Sequence, residues 1–135
     1  MSKRRLVDTN LIVRYLVQDH ENHARAAGKL FEACDRGELV IVLLPAVLAE
    51  CVFVLESFYR QARGKIASTL GTLISSPGVE IGQAAVHLDA LGRYGKTKVH
   101  FVDCLIAAAA SAEKIPVATF DLGFRKFADV RVETE

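Results

Sequence analysis

The sequence has 135 residues, 51% of them hydrophobic, and a formal net charge of +1, and these values exclude several classes of protein. A disordered chain has few core-forming residues, and a protein that coats nucleic acid without selectivity is strongly basic. No apolar stretch reaches the roughly 18 residues that a membrane-spanning helix needs. We therefore expect one folded domain, residues 1–135, in a protein with no membrane attachment.

The first half of the chain alternates between predicted strands and helices. Residues 4–7 read as a short strand, and residues 8–10 offer capping side chains for a helix that continues to about residue 17. A second helix is predicted from about residue 23 to residue 34. The continuous apolar run at residues 39–44 is typical of a strand that is buried on both faces.

The second half continues the same alternation. Pro45 suits the first turn of a helix, which should reach about residue 59. The remaining predicted elements are a helix at 64–75, a brief strand at 79–81, helices at 83–92 and 100–113, a strand at 116–119, a helical turn at 122–127 and a last strand at 130–132. The helix at 83–92 should end near Gly92 or Gly95. Strands that alternate with helices predict a parallel sheet with helices on both of its faces.

The cysteines and the amino-terminal segment predict a cytoplasmic protein. The three cysteines are odd in number, lack CxxC spacing and fall in apolar helical patterns, where a free thiol packs as a small hydrophobic group. The basic opening is followed by an apolar stretch of only two residues, which is too short for a signal peptide. We expect reduced cysteines and no disulfide.

Four acidic residues stand at the ends of apolar strands or within apolar helices: Asp8, Glu50, Asp103 and Asp121. Glu50 and Asp103 are each the only charge in ten residues, at 46–55 and 101–110. Burying an unpaired carboxylate costs several kcal/mol or more, and neither run contains a Lys or Arg to offset that cost. We therefore expect the four carboxylates to share a divalent cation at the carboxyl ends of the strands, where chemistry collects in such sheets.

Each acid also has a simpler interpretation. Asp8 and Asp121 could cap the helices that follow them, and Glu50 or Asp103 could lie on the flank of a mostly buried helix. The occurrence of all four favours a shared site. Oxygen ligands favour Mg²⁺ or Mn²⁺ over zinc, which prefers His and Cys. Carboxylate-bound Mg²⁺ polarises phosphoryl oxygens and lowers the pKa of an attacking water, so the pattern predicts a nuclease.

The sequence around each acid resembles a motif of the PIN-domain ribonucleases, especially the VapC-type toxins of type II toxin–antitoxin systems. The four segments are residues 6–16 (LVDTNLIVRYL), 45–50 (PAVLAE), 101–108 (FVDCLIAA) and 118–121 (ATFD). Their order and spacing extend the resemblance over essentially the whole chain. It implies a PIN-like three-layer α/β/α sandwich with a central, mainly parallel sheet.

The resemblance implies metal-dependent endonucleolytic cleavage of RNA, with Mg²⁺ or Mn²⁺ held by the four acids already named. Three polar residues would support the ligands or position water: Thr9, Asn10 and Thr119. Asn10 and Thr119 could instead be ordinary cap or strand-end residues. His100 stands directly before the third motif, where the family pattern has an ordinary residue, and its role stays open.

The family also implies a homodimer and a small antitoxin protein that blocks the site. Phe53, Phe58 and Tyr59 mark residues 46–75 as a candidate surface for such a partner, unless these rings belong to the core. Phosphate contacts would need cations, and the candidates are Arg14, Arg93, Lys96 and Lys98. The last three lie in a predicted flexible loop before the Asp103 helix. A small site favours single-stranded or loop RNA.

Two other functions fit part of the pattern. A PIN-domain nuclease that processes RNA without being a toxin would carry the same acids. A signalling receiver domain also binds Mg²⁺ in a doubly wound sheet, but it needs adjacent acids after its first strand. Asp8 has no acidic neighbour, which disfavours the receiver.

Overall fold

The computed structural model describes residues 3–133, which form five short strands and six α-helices, with two helices after each of the first three strands. In chain order they are β1 (Lys3–Leu6), α1 (Thr9–Val17), α2 (Glu21–Asp35), β2 (Leu39–Val42), α3 (Pro45–Ser57), α4 (Arg63–Ser75), β3 (Val79–Glu80), α5 (Ala84–Lys96), α6 (Phe101–Glu113), β4 (Val117–Ala118), a 3₁₀ helix (Leu122–Lys126) and β5 (Val132–Glu133). The predicted order of strands and helices is confirmed.

All strand pairs are parallel, as predicted, but the strands form two sheets. β2 lies between β1 and β3, with Val42 opposite both Leu6 and Glu80. β4 and β5 form a separate parallel pair. Within residues 3–133 no hydrogen-bonded ladder joins the two sheets. Because β3, β4 and β5 contribute only two residues each, few ladder bonds are available to extend either sheet.

The core fixes the orientation of the helix that carries Glu50. Leu48 and Leu55 of α3 are completely buried, as is Ile41 of β2. Burial of such a side chain is worth roughly 1.5–3 kcal/mol, so together they determine which face of α3 points inward. The opposite face of α3 carries Glu50 and Phe53, and both are exposed. The packing of apolar residues thus decides where the acid points.

α5 ends at Lys96, which agrees with the later of the two predicted ends, Gly95, rather than with Gly92. Gly95 serves a further purpose, because a Cβ added there would lie 3.0 Å from the Cβ of Ala67 in α4. The glycine therefore permits close approach of the two helices. The predicted flexible loop before α6 is wrong for residues 93–96, which are helical.

The cysteine prediction is confirmed. Cys34, Cys51 and Cys104 are all buried and none forms a disulfide. In the described range no helix is both long enough and apolar enough to cross a membrane.

Candidate functional site

Asp8 lies just beyond the carboxyl end of β1 and caps α1. Its Oδ1 accepts a hydrogen bond of 3.0 Å from the backbone N–H of Leu11. The capping role that the sequence offered as an alternative is therefore real. One cap occupies only one oxygen, however, and the structure gives Oδ2 no partner within residues 3–133.

Glu50 lies in the second turn of α3, in the wall of a recess between α3 and α1. The recess has a volume of about 340 Å³ and is shared with Thr9, Asn10 and Arg14. The Glu50 side chain makes no hydrogen bond or ion pair within the described part of the chain. The pKa of the neighbouring Cys51 is raised to about 12, first by burial and then by the negative charges of Glu50 and Asp8. Asn10 lines both this recess and a second recess that Asp8 lines.

Asp103 and Asp121 belong to the second half of the chain. Asp103 is half-buried in the first turn of α6, and its side chain has no partner among residues 3–133. Asp121 follows β4 and caps the 3₁₀ helix, with its Oδ1 accepting a 2.7 Å hydrogen bond from the N–H of Gly123. Both positions agree with the predicted ones, and the capping interpretation holds for Asp121.

The cost of burying unpaired carboxylates does not apply to most of the four acids. Asp8, Glu50 and Asp121 are exposed, so water hydrates their charges and no burial cost demands a partner. The apolar runs around Glu50 and Asp103 predicted buried acids, but an apolar sequence does not specify which face of a helix the rest of the protein covers. What the four acids do share is that none takes part in an ion pair anywhere in residues 3–133.

The four acids have the donor atoms that a hard divalent cation prefers, but their side chains are not gathered around one point. Carboxylate oxygens without competing Lys or Arg partners are the ligands that Mg²⁺ and Mn²⁺ prefer. In the described residues no group of three or more His, Cys, Asp or Glu side chains stands ready to hold a metal ion. The helices do connect the four positions, since α1 packs on α3, α3 on α6, and α6 on β4.

The three supporting polar residues lie beside the acids. Thr9 and Asn10 line the recess that contains Glu50. Thr119 forms a turn with the fourth acid, because its Oγ1 accepts a 2.9 Å hydrogen bond from the backbone N–H of Asp121. The strand-end role offered for Thr119 is thus observed, while the positioning of water by these residues stays a prediction.

The four basic candidates differ in their freedom to bind phosphate. The Arg93 side chain is only 13% exposed and is bound by Asp89 and Asp129, so its charge is already neutralised. Lys96 and Lys98 are exposed and form no ion pair in the part of the chain that is described. Arg14 lines the Glu50 recess but donates to Asp19 at 2.9 Å. Arg93 is therefore a structural residue.

Sequence reasoning missed the network that holds Arg14. Asp19 accepts hydrogen bonds from Arg14 and, at 2.8 Å, from the Tyr59 hydroxyl. The Tyr59 hydroxyl and then the Arg14 guanidinium lower the pKa of Asp19. The same hydrogen bond raises the pKa of Tyr59. Nothing in the sequence signalled this, because Asp19 lies in an ordinary polar loop and its partner Tyr59 is 40 residues away.

The aromatic residues of α3 and its carboxyl end are divided between surface and core. Phe53 is 68% exposed and Phe58 is 74% exposed, so the core interpretation is wrong for both. Tyr59 is half-buried and packs against the core. His100 is exposed, precedes α6 and makes no capping hydrogen bond with its side chain.

Comparison with known proteins gives one decisive match. Among curated proteins, none matches the sequence. A similar solved structure is the crystal structure of VapBC2 from Rickettsia felis bound to a DNA fragment from their promoter, with 21% identity over 97% of this chain and 98% of that chain and a TM-score of 0.40. Similarity at that level supports no statement about what the present chain binds. The sequence profile of the PIN domain matches residues 5–130, nearly the whole length, and the chain therefore belongs to the PIN domain family.

Proposed function

We propose that the chain is an endoribonuclease that depends on Mg²⁺ or Mn²⁺ and hydrolyses RNA phosphodiesters. PIN domains are nucleases that generally use divalent metal ions, and membership of this family excludes the signalling receiver domain. The observation that carries the proposal is that all four motif acids, Asp8, Glu50, Asp103 and Asp121, are free of ion pairs within residues 3–133.

The four carboxylates are the proposed cation ligands. A divalent cation, when bound, polarises a phosphoryl oxygen and lowers the pKa of a water molecule. Asp8 presents its uncapped Oδ2, and Glu50 presents both oxygens from the recess wall. Thr9 and Asn10 line the same recess, and their proposed role is to hydrogen-bond a water or a ribose hydroxyl. α3 packs on α6, so Glu50 and Asp103 lie on neighbouring helices.

Lys96 and Lys98 are the proposed phosphate contacts. Both are exposed, unpaired in the described range and located just before α6, which carries Asp103. Arg14 is a third candidate because it lines the Glu50 recess, although it already forms an ion pair with Asp19. Phosphate contacts position a strand without reading its sequence, so these cations would support affinity more than selectivity.

We further propose that the nuclease acts in the cytoplasm as the toxin of a toxin–antitoxin pair and forms a homodimer. The four motifs support this, since their order and spacing resemble those of VapC-type toxins. Phe53 and Phe58 supply an exposed aromatic surface of the kind that protein partners cover. Three free cysteines are consistent with a reducing compartment. Growth arrest on expression, relieved by the product of the adjacent gene, would separate a toxin from an RNA-processing nuclease.

The test of the enzymatic proposal is RNA cleavage by purified protein with and without EDTA. Glu50→Gln should lower the cleavage rate by at least about 100-fold while the circular dichroism spectrum stays unchanged, because an exposed side chain contributes little to folding. Glu113→Gln is the matched control, since Glu113 is an exposed, unpaired glutamate at the far end of α6. Cleavage that survives Glu50→Gln, or that is unaffected by EDTA, would refute the proposal.

A further inference from the structure

Phe120 presents its ring to solvent directly before the fourth motif acid. It is 88% exposed, the largest exposed fraction among the large hydrophobic residues of the described chain. A single exposed hydrophobic residue is common on protein surfaces and needs no explanation by itself. Two further observations distinguish Phe120: hydrogen bonds hold the backbone on both sides of it, and unpaired cations follow it in the 3₁₀ helix.

Hydrogen bonds fix the backbone on both sides of Phe120. The Thr119 N–H donates to the Glu133 carbonyl at 3.2 Å, which anchors the end of β4 to β5. The Thr119 Oγ1 accepts from the N–H of Asp121 at 2.9 Å, and the Asp121 Oδ1 accepts from Gly123 at 2.7 Å. The ring therefore projects from a well-defined turn beyond the carboxyl end of β4.

Free positive charge follows the same turn. Arg125 and Lys126 occupy the last turn of the 3₁₀ helix, are exposed and make no ion pair in residues 3–133. Most arginines of the chain, by contrast, are paired with a carboxylate. An exposed aromatic ring that is followed within six residues by unpaired cations combines the two features by which proteins bind single-stranded nucleic acid, base stacking and phosphate contacts.

We propose that Phe120 is a stacking platform for an unpaired base of the RNA strand and that Arg125 and Lys126 contact the neighbouring phosphates. The proposal rests on the proposed function and deepens it by naming the residues that would hold an unpaired strand at this site. Stacking on one face of a base requires that the base be out of a duplex, so a perfectly paired duplex cannot use this surface. Selection of unpaired RNA would thus occur next to Asp121.

The sequence contains no tryptophan, so Phe120→Trp introduces a unique fluorophore. The variant should be titrated in EDTA, which prevents metal-dependent cleavage, with an unstructured RNA of about 10 nucleotides. Tryptophan emission should be quenched by the single strand and not by a duplex of the same sequence. Ile115→Trp is the matched control, because Ile115 is 52% exposed but precedes β4, at the opposite end of that strand. Its emission should not change.

Affinity and kinetics provide the second measurement. Phe120→Leu should weaken single-strand binding about 10-fold or more and raise the KM for RNA with little change in kcat, whereas Phe120→Tyr should behave as the unsubstituted protein. Three results would overturn the stacking platform: equal quenching of both tryptophan variants, quenching by the duplex, or unchanged RNA affinity in Phe120→Leu. Unchanged affinity would indicate that the ring binds a protein partner instead. If RNA quenches the emission of Phe120→Trp but the protein cleaves no RNA, only the proposed nuclease activity is overturned. If Phe120→Leu cleaves RNA with an unchanged KM, only the stacking platform is overturned.

Discussion

The two oxygens of Asp8 have different environments, and this difference can be tested. Oδ1 caps α1, which is a structural task, while Oδ2 is free to bind a cation. Asparagine caps a helix as well as aspartate does, because its amide oxygen accepts the same hydrogen bond. It carries no charge, however, and is a weaker ligand for Mg²⁺. Asp8→Asn can therefore remove the charge available for a cation and keep the helix cap.

Asp8→Asn should leave the free energy of unfolding within about 0.5 kcal/mol of the original value and abolish RNA cleavage. Asp8→Ala should lose cleavage and, in addition, about 1 kcal/mol of stability, because the cap is also lost. Urea denaturation and an RNA cleavage assay measure the two properties separately. Full activity in the asparagine variant would show that the carboxylate is only a cap.

The positions of the four acids were predictable from the sequence, whereas their environment was not. Each acid stands out against apolar neighbours, which is a local property of the sequence. Whether such a residue is buried depends on which helical face the rest of the molecule covers. Glu50 and Phe53 lie on the uncovered face of α3, and no periodicity in that nearly all-apolar segment indicated this. The pattern therefore identified four candidate ligands, but the burial argument that selected them is wrong for the three exposed acids.

At the scale of elements, one ionic cluster ties α5 and α6 to the segment before β5. Arg93 of α5 binds Asp89 in the same helix and Asp129, which also accepts a 2.8 Å hydrogen bond from Ser111 of α6. The Arg93 guanidinium, and then the Ser111 hydroxyl, hold the pKa of Asp129 well below its usual range. A carboxyl group with a lowered pKa in the folded state contributes stability above its unfolded pKa, and that contribution is lost as the pH falls toward the folded value.

Asp129→Asn should lower the free energy of unfolding at pH 7 by about 1 kcal/mol, a modest value because solvent screens this half-exposed carboxylate. The difference from the unsubstituted protein should begin to shrink below about pH 4, where the carboxyl group of the unfolded chain becomes protonated. Urea denaturation at pH 7 and pH 3 measures both values. A difference that is the same at the two pH values would show that the ion pair does not stabilise the fold.

The order and type of elements could be read from the sequence, but some boundaries could not. Period-two and helical apolar patterns are local, so the succession of strands and helices was predictable. The sequence left the end of α5 open between Gly92 and Gly95, because the role of Gly95 depends on close contact with Ala67 of α4, which is far away in sequence. Arg93 was predicted to lie in a flexible loop, and its ion pair with Asp129 could not be predicted for the same reason. Its partner Asp129 lies 36 residues away.

At the scale of the whole molecule, the candidate site spans two separate groups of elements. Asp8 and Glu50 belong to the three-stranded sheet and the helix that follows its central strand, while Asp103 and Asp121 belong to α6 and the end of β4. Contact between α3 and α6 joins these groups. A cation bound by acids from both groups would link them. Ligands that bind only the folded state raise stability, by about 2.7 kcal/mol at a concentration 100 times the Kd.

The melting temperature as a function of Mn²⁺ concentration tests the shared cation directly. We predict that Mn²⁺ raises the Tm of the unsubstituted protein by several degrees, roughly 2–8 °C for each kcal/mol gained. Asp103→Asn should lose most of that rise. Asp35→Asn should keep it, because Asp35 is an exposed, unpaired acid that precedes the amino end of β2. A full rise in Asp103→Asn, or no rise in the unsubstituted protein, would contradict a cation held in common by the four acids.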